Sequence, residues 1–150
     1  MVTLHIPAAH RCWPGRLGLA AWLLASACAA VAQPLADQVL AEVNRYRASQ
    51  GLGLLAPDAR LQAIAAEHSA ALARQGRLSH GGFPQRFQRS GAMLCVENLA
   101  AGSADAVALV AAWRASPEHH RNLLEPGVHA VGLGQAGPVV SLLACRYNGP

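Results

Sequence analysis

Val96-Glu97-Asn98-Leu99-Ala100, followed by Trp113-Arg114-Ala115-Ser116-Pro117-Glu118-His119-His120-Arg121-Asn122-Leu123-Leu124, is the part of the chain on which the fold turns. Met93 to Leu99 has the apolar content of a strand, broken only at Glu97 and Asn98. Side chains alternate between faces along a strand, so Glu97 shares a face with Cys95 and Leu99. In a sheet covered by helices such a carboxylate is partly desolvated and needs a partner. The chain contains no lysine, so the partner is an arginine, a histidine, backbone amides or a metal. Downstream, Ser116 has the form of an N-cap and Pro117 that of a first helical residue, which starts a short helix. His119 then falls in its first turn, where the positive end of the helix dipole disfavours imidazolium and keeps the ring ready to bind a metal.

Working outward, Leu35, Val39, Val43 and Tyr46 recur at helical spacing and predict a helix over Leu35 to Ser49. Gly51-Leu52-Gly53 ends it, and Pro57-Asp58 opens a second helix running to Gln75, with Leu61, Ile64, Ala65, His68, Ala71 and Leu72 on one stripe. His68 therefore reads as a core histidine with a satisfied ring. A short helix follows from Phe83 to Arg89, and an alanine-rich helix from Ala104 to Arg114. Val128 to Leu133 and Val139 to Cys145 read as strands joined through Gly134-Gln135-Ala136-Gly137-Pro138. Helices first and strands late predict an α+β domain with a small, mainly antiparallel sheet covered by helices.

The first 32 residues read as a signal peptide, with Arg11 and Arg16 before the uncharged run Leu17 to Ala30 and small residues Ala30-Val31-Ala32 ahead of Gln33. An uncleaved anchor and lipidation at Cys28 are the alternative readings. Residues 33–150 then form a single domain carrying 10 of the 12 arginines against 8 acids, a net charge of only +2. The arginines are scattered rather than clustered, which argues against a nucleic-acid surface. Two cysteines remain, Cys95 and Cys145, and an even pair in an exported chain reads as one disulfide, with two separate buried thiols as the alternative. Closing a loop of that length stabilises by about 4 kcal/mol in the chain-entropy model. The expected location is periplasmic or extracellular, with no stable membrane span in the mature chain.

Five blocks in order carry a family resemblance: Asn44-Arg45-Tyr46-Arg47 with Gly51-Leu52; Ala65-Ala66-Glu67-His68-Ser69 with Ser79-His80; Glu97-Asn98-Leu99-Ala100-Ala101-Gly102; Trp113 to His119 with Asn122-Leu123-Leu124; and Val131-Gly132-Leu133-Gly134. Together they resemble the CAP superfamily of cysteine-rich secretory, antigen-five and pathogenesis-related proteins, in its short bacterial form. The resemblance implies a three-layer α-β-α sandwich with a central cleft. In many members two histidines and two glutamates face that cleft and can hold a divalent metal. By position His80 matches the first histidine, Glu97 the first glutamate and His119 the second histidine. Ser116 stands where the second glutamate would be, Glu118 lies two residues on, and Val96 replaces a frequent glycine.

Two histidines and a carboxylate meet the ligand count of a zinc site with an open position. Three functions follow as expectations: a secreted binding module whose cleft could hold a divalent metal such as zinc weakly, a metal-dependent hydrolase using the same cleft, or a lipid or sterol binder. The corresponding partners are an unidentified protein, a cell-surface component or a lipid. His80, Glu97 and His119 are the candidate metal residues, with Ser116, Glu118 and Asn122 as cleft or supporting residues. The bland readings are a solvated turn for His80, a surface position for His119 and a structural hydrogen bond for Glu97. His120, turned by about 100° from its neighbour, is the reserve. Arg89, Arg121, Asn122 and Trp113 read as structural. No Gly-x-Ser-x-Gly elbow and no His-Glu-x-x-His motif occurs, so a serine hydrolase of that type and a zincin are excluded.

Overall fold

Val39, Val43 and Arg47 form the buried face of the first helix, α1 (Leu35–Ser49), in a computed structural model that describes residues 34–148. The expected signal peptide lies outside the described residues. Tyr46, expected on this stripe, packs half-buried against the same core, and Arg47 joins Val39 and Val43 on the fully buried face. Its guanidinium is 1% exposed and donates from Nε to Gly53 O (2.9 Å) and from Nη1 to Leu123 O (2.8 Å) and Glu125 O (3.0 Å). A buried cation is tolerable only because its N–H groups are satisfied in this way, and here they tie the end of α1 to two distant loops.

Asp58 caps α2 (Ala59–Gln75) by accepting from the Leu61 amide at 2.8 Å, and Gly76 closes it in the left-handed conformation. Just before it, β1 (Ala56–Pro57) is a two-residue strand that the sequence reading did not contain. α3 (Phe83–Ser90) leads through Gly91 into β2 (Leu94–Ala101). α4 (Ala106–Ala115) is capped by Asp105, whose carboxylate accepts from Val107 N and Ala108 N. α5 (Pro117–Leu123) follows directly. Ser116 occupies the N-cap position of α5, but its side chain makes no capping bond; Pro117 alone carries the start signal. β3 (Ala130–Ala136) and β4 (Val139–Arg146) form the expected hairpin, with a turn shorter than expected.

The sheet order is β1-β3-β4-β2. β4 is antiparallel to both neighbours, whereas β1 runs parallel to β3, so the sheet is mixed and mainly antiparallel. One face, through Val140, Leu142 and Ala144, packs on Val39, Val43, Leu109, Val110, Trp113 and Leu123 of α1, α4 and α5. The opposite face, through Leu143 and Cys145, packs on Leu61, Ile64 and Ala65 of α2. The three-layer α-β-α expectation holds.

Cys95 and Cys145 lie directly opposite each other on β2 and β4 and form a disulfide. Among the described residues no helix is long and apolar enough to cross a membrane.

Candidate functional site

β2 is an edge strand, and its alternation assigns the site residues to two sides. Glu97 faces the α2–α3 layer; Asn98 faces α5 and donates from Nδ2 to His119 O at 3.0 Å. Asn122, on α5, donates to Glu97 O and to Asn98 Oδ1, both at 3.0 Å. Trp113 Nε1 donates to Leu99 O at 3.0 Å. These bonds pin the short helix to the strand, so that His119 from one layer and His80 from the other meet over the sheet edge.

They line a cavity of about 370 Å³ together with Phe83, Val96, Glu97, Glu118, Arg121 and Asn122. Glu118 and Asn122 lie in this lining, Glu118 as an exposed rim residue. Ser116 is not among the lining residues. His120 turns away: its Nε2 pairs with the Tyr46 hydroxyl at 2.7 Å, and Arg114 stacks over the same tyrosine ring at 4.2 Å. His119 lines the cavity and His120 does not.

Glu97 is 6% exposed and has the partner its burial demands. Arg86, itself 7% exposed, grips it bidentately, Nε to Oε2 and Nη2 to Oε1, each at 2.7 Å. Fork-on-fork pairing of this kind is the strongest arrangement available to a carboxylate and an arginine. His80 Nδ1 adds a 2.8 Å bond to Oε1. With a carboxylate as acceptor, Nδ1 carries the proton, which leaves Nε2 of His80 for the cleft. Arg86 also donates from Nη1 to Gly81 O at 2.9 Å, holding the loop that presents His80.

The trio His80, Glu97 and His119 consequently does not assemble as a ligand set. Both carboxylate oxygens are committed to a guanidinium, and among the described residues no group of three or more His, Cys, Asp or Glu is placed to hold a metal ion. A three-ligand metal does not fit these residues as they stand. What the cleft offers a ligand is an imidazole pair, an amide, one arginine and one rim carboxylate.

Two participants escaped the sequence reading. Arg86 sits on a short polar helix with no motif around it; the requirement for a cationic partner to Glu97 was the only available signal. His68 was assigned to the core with a satisfied ring. It is buried, but its Nε2 lies 3.8 Å from Glu97 Oε1 without a hydrogen-bond partner.

Burial lowers the pKa of His68, with Arg86 and His80 acting in the same direction and Glu97 and the Ser79 backbone opposing. Burial also lowers that of His119, helped by His80 and opposed by Glu118. A histidine whose folded pKa is depressed binds fewer protons than in the unfolded chain, so stability rises with pH. The contribution is present above the unfolded value of 6.5 and is lost as pH falls through the lower folded values. Melting temperature should therefore drop between pH 7.5 and pH 5, and His68→Gln/His119→Gln should flatten that slope. An unchanged slope in the double variant would refute the assignment.

The Cysteine-rich secretory protein family profile (CAP) matches residues 40–137. Among solved structures, an extracellular protein containing an SCP domain from Bacillus anthracis is similar at 29% identity and a TM-score of 0.70, over 75% of this chain and 40% of that one. A cysteine-rich secretory protein from Staphylococcus aureus aligns at 17% identity and a TM-score of 0.68, over 74% of this chain and 38% of that one. An outer surface protein from Borrelia burgdorferi aligns at 23% identity and a TM-score of 0.68, over 75% and 92%. The last two likenesses concern the fold alone. The chain spans about two fifths of the length of the Bacillus and Staphylococcus proteins. Among curated proteins none matches it. With the profile covering most of the domain and the α-β-α architecture in place, the chain belongs to the CAP, or cysteine-rich secretory protein, family.

Proposed function

We propose that this is an exported CAP-domain binding module, acting in the periplasm or outside the cell, whose ligand enters the cleft at the β2 edge. The observation that carries the reading is the bidentate Arg86–Glu97 pair. A metal-dependent hydrolase needs a metal to activate water and a base free to take a proton. Glu97, the buried carboxylate at this site, is held by a permanent cation instead. A divalent ion entering the cleft would meet the His80 and His119 imidazoles without Glu97, and two neutral nitrogens bind weakly. The lipid or sterol reading has less support, since the exposed large apolar residues Leu54, Leu78, Met93 and Val107 lie outside the cleft lining. Export is supported by the Cys95–Cys145 disulfide, which persists in oxidising compartments, and by the extracellular and outer-surface relatives.

The test has two arms on the oxidised protein. Zinc titrated by calorimetry should bind only in the ~millimolar range, about −4 kcal/mol, and more weakly still in His80→Ala/His119→Ala. Ester and peptide hydrolysis should stay at background with and without zinc. In the second arm, peptide and saccharide fragments screened by NMR should shift signals of His80, His119 and Asn122 together. Zinc-dependent turnover lost in the double variant would defeat the binding-module reading, as would fragments that bind everywhere except the cleft.

A further inference from the structure

We propose that the groove between α2 and α3 is a second ligand site, in which Arg74 and Arg89 hold the oxyanion of an organic phosphate or sulfate monoester. The groove has a volume of about 490 Å³ and shares no lining residue with the cleft. Its ligand is therefore independent of whatever occupies the cleft.

Glu67, Ala70, Ala71 and Arg74 line the groove from α2, and Arg86 and Arg89 line it from α3. The four α2 positions follow the i, i+3, i+4, i+7 spacing and so share one face of the helix. Two small side chains in the middle leave the hollow, and the charged groups stand at its ends. Arg89 Nη2 is anchored on Glu67 Oε2 at 2.6 Å, and Arg74 lies seven residues from that anchor, about 10 Å along the helix axis. The Arg74 side chain has no hydrogen bond or ion pair among the described residues. The Arg89–Glu67 pair is 52% and 60% exposed, and an ion pair in water holds so weakly that Arg89 can share itself with another anion. Arg86 brings no net charge, because Glu97 is paired with it. The usable balance is two guanidiniums against one carboxylate. In the inner wall His68 is 8% exposed with no hydrogen-bond partner on Nε2, so the groove already contains an unsatisfied polar atom.

Two arginines at opposite ends of a hollow select the shape of the anion. A guanidinium presents its N–H groups as a planar fork that fits carboxylate or phosphate. A carboxylate has two oxygens in one plane and is filled by a single fork, as Glu97 is by Arg86. A tetrahedral oxyanion keeps further oxygens for a second fork arriving from the other end. The methyl groups of Ala70 and Ala71 are left to the organic body of the ester, and the groove has the volume for it.

Phenyl phosphate is the probe, titrated into the oxidised protein at low salt and followed by NMR. It should bind with a Kd of about 1 mM or tighter and shift the signals of Ala70, Ala71, Arg74 and Arg89, but not those of His119 and Asn122. Inorganic phosphate should shift the same residues and bind more weakly, for want of the ring. Benzoate should also bind more weakly than phenyl phosphate, for want of a tetrahedral head. Arg74→Ala should lose about tenfold in affinity. Glu67→Gln should gain about threefold, because it releases Arg89 and removes the opposing charge. Both residues are exposed, so neither substitution threatens the fold. No binding by about 10 mM, shifts confined to the cleft, benzoate as tight as phenyl phosphate, an undiminished Arg74→Ala or a Glu67→Gln protein without a gain overturns the proposal. Peptide and saccharide fragments that avoid the cleft would defeat the cleft reading alone and leave this result standing.

Discussion

Glu97→Ala should cost about 3–5 kcal/mol of unfolding free energy, more than either His80→Ala or His119→Ala. The reason lies in what is left behind. The substitution removes the carboxylate and strands Arg86, 7% exposed, as an unpaired buried charge. It also takes the acceptor from His80 Nδ1 and the carboxylate that lies 3.8 Å from His68 Nε2. His80→Ala removes one bond from a side chain that is 54% exposed, and Glu97 keeps its two bonds to Arg86, so about 1 kcal/mol is expected. His119 holds its place through its backbone carbonyl, which alanine retains. Urea denaturation of the three variants gives the order directly. A double-mutant cycle sharpens it: Glu97→Ala/Arg86→Met should be less destabilised than the sum of the two single changes. Equal losses for Glu97→Ala and His80→Ala would show that the pair contributes little and that the cluster is loosely held.

Gly132→Ala is expected to be as damaging, for a wholly different reason. A Cβ at Gly132 would lie closer than 3.0 Å to the Leu61 carbonyl group and the Gln62 amide; one at Gly134 would meet Ala65 and the Ala66 amide in the same way. These are backbone atoms of α2, which have no rotamer to change, so the helix must lift from β3. That separation opens the cluster of Leu61, Ile64, Ala65, Leu143 and Cys145 and breaks the 2.9 Å bonds that join Ser69 Oγ with Gly134 O and with the Ser141 hydroxyl. Overpacking against a movable side chain costs about 1–3 kcal/mol, and against a fixed helix backbone the loss should reach or exceed the top of that range. Gly53→Ala, with nothing within 4 Å of its new methyl, is the control and should stay within about 0.5 kcal/mol of the wild type. Thermal melts read both, and a Gly132→Ala protein melting beside the control would mean that α2 and β3 are not in direct backbone contact.

The two predictions mark where reading from residues stops. Glu97 announced itself, because a carboxylate in an apolar strand of a lysine-free chain has few possible partners. Which partner it takes did not follow. Arg86 is 11 positions away on a helix whose sequence names no role, and the pairing exists because α3 folds back over the edge of β2. His68 shows the opposite error. Its place on the apolar stripe of α2 implies burial, which the structure shows, but burial does not imply a satisfied ring; the layer it faces holds the cluster. Val131-Gly132-Leu133-Gly134 was legible as a family block, yet nothing in the string says that its glycines exist for the approach of a helix backbone.

By itself the sequence determined the order and nearly the bounds of the helices, because stripes and caps such as Asp58 and Gly76 act over a few residues. It also determined the hairpin of β3 and β4, the cysteine pair and the family. Tertiary structure alone decided the parallel pairing of the two-residue strand β1, too short to carry a period, and the burial of Arg47 on the core face of α1. It alone decided that the candidate metal carboxylate is closed by an arginine. Local propensity is encoded within a turn or two, whereas the partner of a buried charge is chosen by the path of the whole chain.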